Sequence, residues 1–370
     1  MSIQSITHVE FHCADADKTA AGLRADFGFV PDERTPDART PEARTPDART
    51  PEARTPDART SAEQAPGEPA AGPDGVRTVR LRQGDIRLHL VSAADPAHPV
   101  ARFVAVHGDG VGVIALGCTD PQASLERAER HGARVLDRAG GLVAGFGDVA
   151  LRFVPDTAAG AVSGPAAEPA PGALLDALDH AAICVPAGEL APAVRFCEAA
   201  LGLHRIFGEY IEVGEQAMDS SVVQNASGEV TFTLIEPDTS RRPGQIDTFL
   251  ADNEGAGVQH LAFRTGDIAT AVRTIRDRGV EFLTTPGAYY DALAERLGGT
   301  AIPVDTLREL DVLVDQDHGG QLFQIFLRST HPRRTYFLEL IERQGAGTFG
   351  TANIKALYEA VERTNATASV

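Results

Sequence analysis

Three side chains in this sequence could together do redox-active metal chemistry. His180 lies in LDHAAIC, His260 in GVQHLAF and Glu339 in YFLELIER. Two imidazoles and one carboxylate form the facial set of non-haem Fe(II) oxygenases, which leaves three coordination positions open. An oxygenase that consumes a 2-oxo acid needs all three, two for the keto-acid chelate and one for dioxygen. Taken singly, each residue says little. A lone strand histidine is more often a core or surface residue than a ligand, and Glu339 would by default be an ion-paired or edge-strand group. The joint pattern says more. Both histidines sit at homologous positions of repeated segments, and Glu339 occupies an apolar strand that tolerates no unpaired carboxylate.

The elements that must position these side chains are visible as an internal repeat. ITHVEFHCADADKTAAGLRADFGF, from Ile6, parallels LDHAAICVPAGELAPAVRFCEAALGL, from Leu178. HGDGVGVIALGCTDPQASLERAERHGARVL, from His107, parallels NEGAGVQHLAFRTGDIATAVRTIRDRGVEFL, from Asn253. Each reads as a strand, a turn and an amphipathic helix stopped by glycine. Strand-like stretches follow every helix: TVRLRQGDIRLHLV and VAGFGDVALRFV in the first half, SSVVQNASGEVTFTLIEP, GGQLFQIF and RTYFLELIER in the second. Four βαβββ modules, paired into two half-open barrels, account for nearly all of the chain outside its biased segments. This α+β pattern resembles the vicinal oxygen chelate fold, in which paired modules curl around a metal. Its ligands come from the first and last strands of the modules, the places that His180, His260 and Glu339 hold.

Laying VTFTLIEP over YFLELIER puts Thr233 where Glu339 sits, so a fourth ligand of the glyoxalase type is not expected. The matching positions of the first half hold His8, His89, Val113 and Arg152. Valine and arginine there leave no triad, and residues 1–156 are expected to form an N-terminal domain without a metal site. Residues 175–370 are the expected catalytic domain, closed by a C-terminal helix.

Two segments fall outside the repeat. From Arg34 to Ala58 the chain alternates RTPDA and RTPEA five times. A proline every fifth residue blocks both helix and ladder, and almost nothing there is apolar. Residues 33–75 therefore read as a disordered surface insertion. Residues 157–174, rich in Ala, Gly and Pro, read as an interdomain linker. A net charge of -18 argues against nucleic acid or an anionic membrane as partner. Cys13, Cys118, Cys184 and Cys197 show no zinc-binding spacing and read as reduced, mostly buried thiols. With no secretory signal and no membrane span, a cytoplasmic protein is expected.

Several motifs of the second half carry a closer resemblance. GAGVQHLAF, PGAYYD (Pro286 to Asp291), GGQLFQIF and FLELIERQGAGTFGTANIKALYEA are similar to those of the 4-hydroxyphenylpyruvate dioxygenase family. The likeness covers about residues 175–365 and, less closely, 1–32 and 76–155; the pentapeptide run is foreign to it. It implies an Fe(II) cofactor held by His180, His260 and Glu339, with 4-hydroxyphenylpyruvate and O2 as small-molecule partners and a homodimer left open. It further implies that Ser220, Thr233, Gln245, Gln259 and Gln324 orient the carboxylate and phenol. Phe337 and Phe349 would wall the ring, with Asn353 and Ile354 on a lid helix.

The family has two outcomes, ring hydroxylation to homogentisate and benzylic hydroxylation to 4-hydroxymandelate. Homogentisate-forming members usually carry a Pro-x-Asn-Glu-Pro-like strand where this chain has Thr233 to Pro237, with Ile235 at the asparagine. They usually continue Asn-Phe at the C-terminal helix, where Asn353 and Ile354 stand here. Both departures point to the 4-hydroxymandelate branch, which would feed antibiotic biosynthesis. The oxidant is common to both, and shifts under about 1 Å in ring pose decide which carbon meets it. The alternatives are the homogentisate-forming enzyme and a non-catalytic binding protein of the same fold.

Overall fold

A computed structural model of the chain describes residues 3–32, 75–156, 173–347, 350, 353 and 355. The insertion (but for Gly75), most of the linker, Phe349, Ile354 and nearly all of the expected C-terminal helix lie outside the described residues.

The first sheet contains β1 (Ile3–His12), β2 (Val30–Pro31), β3 (Val76–Gln83), β4 (Ile86–Ala93), β5 (Gly110–Cys118), β6 (Val135–Asp137), β7 (Leu142–Phe146) and β8 (Val149–Pro155). The second contains β9 (Ala177–Cys184), β10 (His204–Val213), β11 (Gln216–Gln224), β12 (Thr231–Pro237), β13 (Gly257–Arg264), β14 (Leu313–Gln316), β15 (Gln321–Phe326) and β16 (Phe337–Gln344). Strand order is 2-3-4-1-5-8-7-6 in the first and 10-11-12-9-13-16-15-14 in the second. The two orders are identical once eight is subtracted from the second. The chain thus folds as two vicinal oxygen chelate domains of two modules each, as the repeat implied. In each sheet the leading strands of the two modules meet antiparallel at the centre, β1 with β5 and β9 with β13. Each leading strand also pairs parallel with the last strand of its own module.

Several helices pack against the sheets because their sequences carry a start, a stripe and a stop. In α1 (Ala16–Phe27) Asp15 accepts from the Lys18 amide, and Gly28 ends the helix at φ 81°. In the helices Pro121–Arg130 and Ile268–Asp277, Asp120 and Asp267 cap in the same way. Each such cap stabilises by about 1 kcal/mol. Ile268, Ala271, Val272 and Ile275 of the latter helix are buried at the i, i+3, i+4, i+7 spacing of one helix face. One apolar core results, spanning both domains and including Leu81, Leu90, Ile114, Phe232, Phe263 and Phe323. Each such side chain contributes about 1.5–3 kcal/mol by leaving water. The two domains approach closely at Gly84, where a Cβ would lie 2.2 Å from the Asp176 carbonyl oxygen. All four cysteines are buried and free.

The insertion has a definite place in this plan. It joins β2 to β3, whose Val30 and Pro31 pair with Arg82 and Leu81. At the equivalent place in the second sheet, Val213 pairs directly with Gln216 across Gly214 and Glu215. The pentapeptide run therefore lengthens a hairpin connection, where closure entropy grows only slowly with added length.

Candidate metal centre

The register of the second sheet determines which side chains share its concave face. His260 lies opposite Ala182, and His180 lies opposite Ala262, a symmetric arrangement about the β9–β13 seam. On β16, Glu339 stands beside Ala262. On β12, Thr233 stands beside Ala182, the equivalent position. The overlay of Thr233 on Glu339 read from the sequence is thus met by the strand pairing itself. Alternation along the strands adds Ile235, Phe326 and Phe337 to the same surface. A second apolar cluster forms there, from Ala182, Cys184, Met218, Ile235, Phe249 and Phe326 among others.

His180, His260 and Glu339 meet at the centre of this face, each offering a ligand atom within 4.8 Å of the other two. Glu339 Oε2 lies 3.3 Å from His260 Nε2 and 3.6 Å from His180 Nε2. Three ligand atoms held about 2.1 Å from a metal at right angles would be about 3 Å apart. The two carboxylate-to-imidazole separations, 3.3 and 3.6 Å, come near that demand. Glu339 is only 1% exposed. A carboxylate so buried, faced by two imidazoles, costs several kcal/mol unless a cation joins it. Burial lowers His260 below the ordinary imidazole value, with Glu339 pulling the other way. The ring is therefore neutral at neutral pH, the form that ligates. Two histidines and a carboxylate are a hard-to-borderline donor set that fits a divalent transition metal.

The surroundings orient these groups. His180 Nδ1 lies 2.9 Å from Asp179 Oδ1, which fixes the tautomer that turns the Nε2 lone pair toward Glu339. Asp179 is in turn gripped by Arg343. Burial alone would raise the Asp179 carboxyl; hydrogen bonds from Arg343 and His180, and the guanidinium charge, hold it below the usual carboxylate range. The His260 ring stacks on Phe337, with centroids 4.8 Å apart. Gln324 Nε2 donates to Glu339 Oε1 at 2.7 Å.

Of the other residues singled out in the sequence, Ser220, Thr233, Ile235 and Gln324 are all buried. The Ser220 hydroxyl donates to the Glu209 carbonyl at 3.4 Å. The Thr233 hydroxyl is buried with no hydrogen-bond partner. Gln259 is half-buried, its Oε1 3.3 Å from His260 Nδ1. Gln245 opens the helix Gln245–Asp252 and is half-buried. Asn353 is fully buried. Asp179 and Arg343 were not singled out from the sequence. The signals were a charged neighbour to a candidate ligand histidine and a basic residue on an apolar strand.

In the first domain, register puts Val113 at the place of His260 and Arg152 at that of Glu339. Arg152 Nε donates to Glu10 Oε1 at 3.0 Å, and His8 stacks on His89 at 3.9 Å. A guanidinium supplies the positive charge there, and among the described residues the triad of the second domain is the one grouping suited to a metal.

Comparison with known proteins agrees with the architecture. Residues 5–148 and 179–295 each match the glyoxalase/bleomycin resistance protein/dioxygenase superfamily. The 4-hydroxyphenylpyruvate dioxygenase of Danio rerio is 32% identical over 313 residues, 76% of this chain and 79% of that protein. A probable 4-hydroxyphenylpyruvate dioxygenase 2 of Aspergillus fumigatus is 34% identical, over 79% of this chain and 71% of that one. A solved structure of a triply substituted 4-hydroxymandelate synthase from Streptomyces coelicolor superposes with a TM-score of 0.80. It is 40% identical and covers 99% of this chain and 100% of its own. On this evidence of fold, triad and sequence, the chain belongs to the 4-hydroxyphenylpyruvate dioxygenase family.

Proposed function

We propose that this protein is an Fe(II)-dependent dioxygenase that converts 4-hydroxyphenylpyruvate and O2 to 4-hydroxymandelate and CO2. The observation that carries the reading is the convergence of His180, His260 and Glu339 on a concave face lined mainly by apolar side chains. In this reading those three residues hold the iron, which supplies a chelation point for the keto acid and activates dioxygen. One oxygen atom of O2 ends in the carboxylate formed as CO2 leaves. The other ends in the benzylic hydroxyl, so all atoms balance.

The chain's own residues bind, orient and exclude water. Phe326 and Phe337 flank His260, at centroid distances of 6.4 and 4.8 Å, and would shield the reacting carbon from solvent. Ser220, Thr233, Gln245, Gln259 and Gln324 are the polar groups proposed to fix the two ends of the substrate, with Phe349, Asn353 and Ile354 completing the wall. The unpartnered Thr233 hydroxyl supports a ligand-facing role, because a buried hydroxyl left unpaired costs about 1–3 kcal/mol.

The choice of product rests on Ile235, apolar where homogentisate-forming relatives usually carry asparagine, and on Ile354, smaller than their usual phenylalanine. The 40% identity to a 4-hydroxymandelate synthase over 99% of this chain supports the same choice; dioxygenase relatives reach 39%, over 51% of it. Identity to those dioxygenases favours homogentisate formation as the second reading. Combining Ile235→Asn with Ile354→Phe should divert part of the product to homogentisate on chromatography; an unchanged product would remove these two residues as the reason for the choice.

A further inference from the structure

A line of hydrogen bonds leaves Glu339 on the side away from the histidines. Gln324 Nε2 donates to Glu339 Oε1 at 2.7 Å. Asn353 Nδ2 donates to Gln324 Oε1 at 2.9 Å. The Tyr289 hydroxyl lies 2.9 Å from Asn353 Oδ1. Gln324 is 2% exposed and Asn353 0%, so water does not substitute for these partners.

The chemistry of the end groups gives this line one direction. An ionised carboxylate only accepts, so the Gln324 amide must turn its NH2 to Glu339 and its carbonyl outward. That carbonyl needs a donor, so Asn353 must present its own NH2 and direct its carbonyl at Tyr289. The Tyr289 oxygen accepts from the Val314 amide at 2.8 Å and from Arg296 at 3.1 Å. The Tyr289 hydroxyl proton is shared between the Val314 carbonyl, at 2.8 Å, and Asn353 Oδ1. The backbone permits the contact at Gly350, at φ +66°, where a Cβ would lie 2.8 Å from Gln324 Oε1. The Asn353 amide closes that turn onto the Gly350 carbonyl at 2.9 Å.

We propose that Asn353 is a positioning residue for the metal centre and acts through Gln324. By holding the Gln324 amide in one orientation, it keeps Oε1 of Glu339 occupied and leaves Oε2, the oxygen facing both imidazoles, for the metal. Without it the Gln324 carbonyl can swing against the carboxylate, and either carboxylate oxygen can turn inward. The chain beyond β16 and the Tyr289 segment are thereby coupled to metal affinity. The proposal rests on reading His180, His260 and Glu339 as the metal site.

The test is Co(II) affinity of the full chain by chelator competition, for wild type, Asn353→Leu, Gln324→Met and the double variant. Outer partners of metal ligands typically set affinity by 10–100-fold. Asn353→Leu is expected to weaken binding about 10-fold, and to add nothing in the Gln324→Met background. Asn353→Asp, close in shape but accepting only, should weaken binding at least as much and keeps the test available if the leucine variant does not fold. Unchanged Co(II) affinity in both Asn353 variants would overturn the proposal. So would additive losses, which would mean Asn353 acts without Gln324. No Co(II) binding by the wild type would instead sink the metal-centre reading itself, a distinct result.

Discussion

Arg343 grips Asp179 behind the ring of His180, its Nε donating to Oδ2 at 2.7 Å and its Nη2 to Oδ1 at 2.9 Å. The two residues lie 164 positions apart in sequence, on β16 and β9, and both are mostly buried. The fork holds the carboxylate, the carboxylate holds the His180 Nδ1 proton, and the imidazole is left with one orientation.

Replacing Asp179 with asparagine should therefore have two effects. Metal affinity should fall about 10-fold or more, because the imidazole loses its orienting carboxylate. Stability should fall by about 3–5 kcal/mol, because Arg343 is left buried without its counter-charge. Chelator competition measures the first and urea unfolding the second; a stability loss with unchanged metal affinity would reduce Asp179 to a structural residue.

Thr233 makes the opposite kind of prediction. Its hydroxyl has no partner in the protein. Thr233→Val should stabilise the substrate-free protein by about 1 kcal/mol. The same change should raise KM for the keto acid several-fold, and steady-state kinetics beside denaturant melts would show both. A KM equal to that of the wild type would remove Thr233 from the pocket.

These two residues mark where sequence reading succeeds and where it stops. The homology of His180 to His260, and of Thr233 to Glu339, follows from the period-two alternation of strands and a repeat that preserves register, so overlaying one half on the other locates them. The loss of the triad in the first domain was legible for the same reason at Val113 and Arg152. The Asp179–Arg343 pair was not, because nothing local signals a contact between strands so far apart in the chain. The short helices Gly287–Asp291, Leu293–Leu297 and Val304–Leu310 were equally silent. Five to seven residues are too few to show a 3.6-residue period.

The first domain predicts an acid response of its own. Burial would raise the Glu10 carboxyl, yet the His8 hydrogen bond and the charge of Arg152 outweigh it and lower it from 4.5 to about 2. A folded value below the unfolded one means stability present above pH 4.5 and lost as pH falls toward 2. The shift corresponds to on the order of 3 kcal/mol. Glu10→Gln should flatten the loss of stability between pH 5 and pH 3, read by urea unfolding at each pH; a variant as acid-sensitive as the wild type would contradict the assignment.

The reaction itself can be followed by loading the purified chain anaerobically with Fe(II), adding 4-hydroxyphenylpyruvate and O2, and separating the product by chromatography. 4-Hydroxymandelate is expected, with one CO2 released for each O2 consumed. Homogentisate would contradict the choice of product and with it the roles given to Ile235 and Ile354. No oxygen uptake by the iron-loaded protein would contradict the proposed substrate.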